Sequence, residues 1–125
     1  MSAAADPLPH ILIVDDNVDA AEVLALLIEM EGFSVSTART LAEGREQIVR
    51  QRPRLIFLDL NLPDGNGMSL LADVKADQMT AAIQVVVLSG RMEDEVREEA
   101  HLLGAQAFLV KPLEHDRMTA LLGAI

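Results

Sequence analysis

Five polar residues of this sequence share one kind of position, because they lie at the ends of short apolar runs: Asp15, Asp16, Asp59, Ser89 and Lys111. Three of them are acids, and carboxylates gathered without compensation repel one another and raise one another's pKa values. The arrangement therefore favours a bound cation. A set of oxygen ligands favours a hard ion, and Mg²⁺ fits best. Mg²⁺ commonly joins one or two carboxylates to a substrate phosphate, so these residue types indicate phosphoryl transfer.

Three of these residues and the metal fit four distinct roles in that chemistry. Asp59 can be the nucleophile, the metal and the Lys111 ammonium can neutralise the phosphoryl oxygens, and the Ser89 hydroxyl can donate to another oxygen. Each residue alone also has a structural interpretation, because acids and serines after strands often cap helices and a lone lysine is often solvated. The combination is more specific, since Pro63 follows Asp59 and Pro112 directly follows Lys111.

The elements that position these residues form a strand–helix alternation that repeats five times. The strands are predicted at Ile11–Val14, Phe33–Thr37, Leu55–Leu58, Ile83–Leu88 and Ala107–Val110. Apolar residues at helical spacing predict five amphipathic helices after these strands, among them Asp19–Met30, Met92–Leu103 and Glu114–Leu122. Apolar strands joined by right-handed crossovers indicate a doubly wound α/β fold, a parallel sheet with helices on both faces. Ligands bind at the carboxyl ends of such strands, where the polar residues meet.

The composition narrows the classes of function. The 125 residues are the size of one domain, which we divide into a flexible N-terminal arm at 1–9 and one folded domain at 10–125. The formal net charge of −10 argues against direct binding of nucleic acid, which depends on clustered Lys and Arg. We found neither an apolar run long enough to cross a bilayer nor a signal-peptide pattern, so we expect a cytoplasmic protein that binds no membrane.

Four motifs resemble those of the receiver domain of bacterial two-component response regulators, and the resemblance covers nearly the whole chain from Ile11 onward. The motifs are Ile13–Asn17, Phe57–Pro63 with Gly67, Val87–Gly90 and Phe108–Pro112. The resemblance implies a flavodoxin-like, CheY-like fold, with five strands in the order 2-1-3-4-5 and five flanking helices.

The resemblance also implies a reaction. Asp59 would accept a phosphoryl group from a phosphohistidine on a sensor histidine kinase or a histidine phosphotransfer protein. The carboxylates of Asp16 and Asp59 and the backbone carbonyl of Asn61 would bind Mg²⁺, and Asp15 would contact the ion through water. The protein would be a signalling switch that catalyses its own phosphotransfer and dephosphorylation, and not an enzyme with a separate substrate.

The same resemblance assigns a switch. Lys111 would pair with the phosphoryl oxygens, and the Lys111–Pro112 peptide bond would be cis. The Ser89 hydroxyl would move toward the phosphoryl group while Phe108 turns inward, which reshapes the surface of the fourth helix, fifth strand and fifth helix for a downstream effector domain or protein. Ser89 stands where the family often has threonine and lacks its methyl group, and Phe108 stands where it often has tyrosine and lacks the phenolic hydroxyl. A homodimer through the same elements is a further alternative, which charge patterning does not decide.

Two other classes of function compete with the switch. A phosphorylation-independent pseudo-receiver would keep the fold as a binding module, although here every expected acid, hydroxyl and lysine position is filled. An FMN protein of the same fold would need a phosphate-binding loop rich in small residues, where this chain has Asp15 and Asp16. A phosphatase with an aspartate nucleophile usually has a second aspartate two residues later, where this chain has Asn61.

Overall fold

A computed structural model of the protein describes residues 8–91 and 93–125. Most of the arm predicted at 1–9, and Met92 of the predicted fourth helix, lie outside the described residues. The elements are β1 (His10–Val14), α1 (Val18–Met30), β2 (Ser34–Ala38), α2 (Leu41–Gln51), β3 (Leu55–Asp59), β4 (Asn61–Leu62), β5 (Gly65–Asn66), α3 (Gly67–Ala76), β6 (Gln84–Ser89), α4 (Asp94–Leu102), β7 (Ala107–Val110) and α5 (His115–Leu122). The five predicted strand–helix units are confirmed, with ends displaced by a residue or two. The structure adds the β4–β5 hairpin between β3 and α3, which the sequence pattern does not predict.

The main sheet has five strands in the order β2-β1-β3-β6-β7. All four pairings within it are parallel. Because β4 and β5 form a separate small sheet, this order corresponds to the predicted order 2-1-3-4-5. The direction of strand succession reverses between β1 and β3, and the crevice above such a point is where ligands bind in doubly wound folds.

Alternate residues of the strands bury themselves in two separate cores, one on each face of the sheet. Leu12, Ile56 and Val85 belong to the core under α2, α3 and α4. Phe57 and Val86, their immediate neighbours in sequence, belong to the core under α1 and α5. Each such side chain contributes about 1.5–3 kcal/mol when it is removed from water. Burial on both faces therefore holds the three central strands in place, and it fixes the positions of the residues at the strand ends as well.

Two helices that begin at the carboxyl edge of the sheet, α1 and α3, have side-chain caps. The Asn17 side chain accepts the Ala20 N–H at the start of α1, and the Asn66 side chain accepts the Met68 N–H at the start of α3. These bonds satisfy N–H groups that have no partner inside the helix, so each helix begins at a defined residue beside the edge. In the part of the chain that the structure describes, no helix combines the length and apolar content that crossing a bilayer requires.

Candidate active site

Three aspartates meet at the carboxyl edge of the sheet. Asp15 and Asp16 follow β1, and Asp59 ends the neighbouring strand β3, which pairs with β1 in parallel. One carboxylate oxygen of each aspartate lies within 4.8 Å of the others. Asp15 and Asp59 are only 4% and 7% exposed, whereas Asp16 is exposed. The described residues include three buried polar or charged ones, Asp15, Asp59 and Ser89, and all three lie at this edge.

Among the described residues, one ammonium group contacts this acidic cluster. Lys111 follows β7, and its Nζ donates to Asp15 Oδ2 at 2.7 Å and to Asp59 Oδ2 at 3.3 Å. Its peptide bond to Pro112 is cis. When all groups are ionised, three carboxylates and one ammonium leave an excess of two negative charges among Asp15, Asp16, Asp59 and Lys111. An all-oxygen donor set with that excess fits a hard divalent cation.

Burial and charge displace the pKa values of two groups in the cluster. Burial raises the pKa of the Asp59 carboxyl above its ordinary value; the Asn61 N–H and Lys111 oppose that rise, and the charge of Asp15 adds to it. Burial alone would lower the pKa of Lys111, but its hydrogen bond to Asp15 and the charge of Asp59 raise it overall. The lysine is therefore held as a cation, while ionisation of Asp59 is less favourable than that of an exposed aspartate, and added positive charge would favour it.

Two further predicted residues lie at the same edge. The backbone N–H of Asn61 donates to Asp59 Oδ1 at 3.2 Å. Ser89 ends β6, one residue beyond Leu88, which is opposite Asp59 in the register of the sheet. The Ser89 hydroxyl accepts the Arg91 N–H at 3.2 Å, and its carbonyl accepts the Lys111 N–H at 2.7 Å. The structure thus brings together all the residues predicted for the reaction.

Phe108, the second predicted switch residue, lies outside the cluster of aspartates. It is opposite Val87 in the pairing of β6 with β7, two residues before Val110, which is opposite Ser89. Its side chain is half-buried and packs against the core under α4. Ser89 and Phe108 therefore lie on adjacent strands, and Phe108 borders the face of the sheet that α4 covers.

Sequence reasoning missed two contributions to the site. A Cβ at Gly67 would lie 2.5 Å from the Asp59 carbonyl oxygen, so only glycine allows α3 to begin this close to β3. The Asn17 N–H donates to Asp15 Oδ1 at 2.9 Å, an Asx turn that orients the buried carboxylate. An aspartate two residues before a predicted helix cap is a signal that could have indicated this turn.

Comparison with known proteins gives concordant results. The family model of the response regulator receiver domain matches residues 11–123. The chain is 31% identical over 115 residues to the phosphate regulon transcriptional regulatory protein PhoB of Pseudomonas aeruginosa, which covers 92% of this chain and 50% of that protein. The chain spans about half the length of the curated relatives that it matches first.

Solved structures agree with the sequence matches. A CheY-like response regulator receiver domain protein from Methanospirillum hungatei superposes with a TM-score of 0.87 at 26% identity, over 94% of this chain and 93% of that chain. A response regulator protein from Burkholderia pseudomallei, crystallised with a phosphorylated aspartic acid, a calcium ion and citrate, superposes with a TM-score of 0.83 at 27% identity. That superposition covers 90% of this chain and 65% of the other.

Proposed function

Because this chain belongs to the response regulator receiver domain family, we propose that it is a phosphorylation-controlled switch whose Asp59 accepts a phosphoryl group in a Mg²⁺-dependent reaction. The observation that carries the proposal is the cluster of three aspartates with one lysine, in which Asp15 and Asp59 are buried and negative charge exceeds positive. The relative from Burkholderia pseudomallei, which holds both a phosphorylated aspartic acid and a divalent cation, supports it.

The donor atoms of the proposed Mg²⁺ site are all oxygens. Asp16 and Asp59 would supply carboxylates, Asn61 its backbone carbonyl, and Asp15 would contact the ion through water. The exposure of Asp16 suits a ligand that meets an incoming hydrated ion, since Mg²⁺ keeps several of its waters. When bound, the ion supplies positive charge that offsets the repulsion among the aspartates and among the phosphoryl oxygens.

The side chains of this protein would carry out the transfer as follows. A carboxylate oxygen of Asp59 attacks the phosphorus of a phosphohistidine on a sensor histidine kinase or phosphotransfer protein. The O–P bond forms as the P–N bond breaks, and the bonding electron pair stays on the imidazole of the donor. Lys111, which already donates to Asp59, pairs with the charged phosphoryl oxygens, and the Ser89 hydroxyl donates to another. Hydrolysis of the acyl phosphate by water resets the switch, so this chain catalyses both steps on itself and has no separate substrate.

The proposed output is a change in the surface formed by α4, β7 and α5. Ala100 is the one fully buried residue of α4, so few buried contacts oppose movement of this helix. New hydrogen bonds from Ser89 to the phosphoryl group would bias a population in which Phe108 is turned inward. The effector would be a further domain or a separate protein, and any contact with DNA would belong to it and not to this domain. The lack of cysteine fits a reducing compartment, so we place the switch in the cytoplasm.

The test is phosphorylation by acetyl phosphate with and without Mg²⁺, followed by intact mass. We expect a gain of one phosphoryl unit that requires Mg²⁺ and is absent in Asp59→Asn. Asp77→Asn is the matched control, because Asp77 is an exposed acid that likewise accepts a backbone N–H, that of Met79, but lies away from the cluster. Phosphorylation of Asp59→Asn at the wild-type level would refute the assignment of the acceptor.

The competing function is a pseudo-receiver that binds its partner without phosphorylation. If neither acetyl phosphate nor a panel of histidine kinases labels the wild-type protein, this binding module becomes the better explanation. Binding of a partner that persists unchanged in Asp59→Ala would support it directly.

A further inference from the structure

Asp64 completes the first turn of a helix to which it does not belong. Its Oδ1 accepts the Leu41 N–H at 2.8 Å and its Oδ2 accepts the Ala42 N–H at 3.1 Å. These are the first two N–H groups of α2, which have no partner within the helix. The N-cap of α2 itself, Thr40, accepts the next N–H, that of Glu43, at 3.0 Å. Asp64 therefore holds the start of α2 although it lies 23 residues beyond Leu41 in the sequence, and we call its two bonds the hairpin–α2 link.

The β4–β5 hairpin that carries Asp64 begins two residues after Asp59. At its base, the Asn61 N–H donates to the Asp59 carboxylate. Asn61 is opposite Asn66 in the hairpin, and the Gly67 N–H donates to the Leu60 carbonyl at 2.8 Å. The base is thus fixed to β3 and α3, and the hairpin–α2 link fixes the tip.

A second, independent observation shows that the tip lies close against α2. Gly65, next to Asp64, has a φ of +149°, and a Cβ there would lie 2.9 Å from Leu41 Cδ1. Glycine is favoured by that backbone conformation, and the contact shows that the Leu41 side chain lies against the tip. The pKa of Asp64 is also lowered, first by the Leu41 N–H, so its carboxylate stays ionised and favourable at the positive end of α2.

We propose that Asp64 is a positioning residue for phosphorylation, because the hairpin–α2 link holds the backbone of Asn61 beside Asp59. The inference rests on the proposed function, in which the Asn61 carbonyl is a ligand of Mg²⁺. A hairpin whose tip is released samples additional conformations, and only a fraction of them place that carbonyl correctly. The apparent affinity for Mg²⁺ falls in proportion to the fraction of molecules whose Asn61 carbonyl is correctly placed.

The experiment compares Asp64→Ala with Thr40→Ala, which removes the native cap of α2 but leaves the hairpin–α2 link. Mg²⁺ affinity is measured by following backbone amide NMR shifts in a titration of each unphosphorylated protein. Hydrogen exchange at the Leu41 and Ala42 amides reports whether the link is lost. We expect the Mg²⁺ dissociation constant to rise about tenfold in Asp64→Ala, the lower end of the loss when a group that orients a metal ligand is removed. We expect little change in Thr40→Ala.

A second readout separates positioning from general destabilisation. At saturating Mg²⁺ the phosphorylation rate of Asp64→Ala should return to nearly the wild-type rate. Asp64→Asn, which keeps one acceptor oxygen, should have a Mg²⁺ affinity between those of the wild type and Asp64→Ala. Equal losses of Mg²⁺ affinity in Asp64→Ala and Thr40→Ala would overturn the proposal, because Asp64 would then act only as a cap. Faster exchange at Leu41 and Ala42 with unchanged Mg²⁺ affinity would overturn it too. Failure of the proposed function itself is visible separately, since the wild-type protein would then neither bind Mg²⁺ nor be phosphorylated, and the positioning role would fall with it.

Discussion

Replacement of Lys111 by methionine removes the ammonium that contacts the cluster and keeps a side chain of similar length. The variant loses the hydrogen bonds to Asp15 and Asp59, which are 4% and 7% exposed. Asp15, Asp16 and Asp59 would then share the edge of the sheet without a hydrogen-bonded cation. We expect Lys111→Met to fold, with a lower free energy of unfolding than the wild type.

The distances set the size of the effect. At an effective dielectric constant of about 20, attraction across the 2.7 Å between Lys111 and Asp15 is about 6 kcal/mol. Desolvation of the ammonium cancels much of this, and breaking a buried pair by removing one partner typically costs about 3–5 kcal/mol. The Lys111 side chain is 29% exposed, so solvent screening reduces that cost further. We therefore expect a loss of about 2–3 kcal/mol, or about 10 °C in Tm for a chain of this size.

The pH dependence gives the prediction a sign. The pKa of Lys111 is raised on folding, so its stabilisation is complete below the unfolded pKa of lysine and is lost only as the pH rises through the folded value. The pKa of Asp59 is also raised, so its ionised form weakens the fold and the penalty disappears as the pH falls through the folded value. Without Lys111 the pKa of Asp59 rises further. The stability difference between wild type and Lys111→Met should thus shrink from neutral toward acid pH, and Mg²⁺ should shrink it as well.

The assay is urea and thermal unfolding followed by circular dichroism, at neutral and at acid pH, with and without Mg²⁺. Lys75→Met is the matched control, because the Lys75 ammonium is also partly buried but donates to the backbone carbonyls of Ala81 and Ile83. Lys75→Met should lose stability without recovery in acid or in Mg²⁺. A loss in Lys111→Met that is independent of pH and of Mg²⁺, as in the control, would refute the argument that Lys111 compensates the aspartates.

Three further outcomes are expected. Without Mg²⁺, Asp59→Asn should have a larger free energy of unfolding in urea than the wild type, because the substitution removes a buried charge. Mg²⁺ at a hundred times its dissociation constant should stabilise the wild type by about 2.7 kcal/mol, and Asp59→Asn should lose this gain. Gly67→Ala should cost about 1–3 kcal/mol of stability and slow phosphorylation by acetyl phosphate, because its Cβ would lie 2.5 Å from the Asp59 carbonyl oxygen; a wild-type rate would contradict this. Asn17→Ala should lower the free energy of unfolding by about 1 kcal/mol, because the α1 cap is lost. Asn17→Ser keeps a capping oxygen and should keep most of the wild-type stability in the same unfolding assay.

The sequence alone determined which residues meet at the edge of the sheet. The apolar runs predict strands buried on both faces, and they end abruptly in a polar residue, as at Val14–Asp15 and Leu58–Asp59. A shift of one residue in such a strand would draw its polar end into the apolar core, so the register is strongly specified. Right-handed crossovers between parallel strands then place all the carboxyl ends on one side. The gathering of Asp15, Asp59, Ser89 and Lys111 follows from these local patterns.

Only the tertiary structure decided how the gathered groups pair. The apolar pattern does not distinguish the adjacent acids Asp15 and Asp16, yet Asp15 is buried and accepts from Lys111, which is 96 positions away, while Asp16 faces solvent. The link from Asp64 to the Leu41 N–H spans 23 positions. Periodicity and turn propensity report burial and local conformation, and they contain no distance between atoms of different elements. Those distances are set by the packing of helices and hairpin against the sheet, which is why the roles of Asp64 and Gly67 appear only in the folded chain.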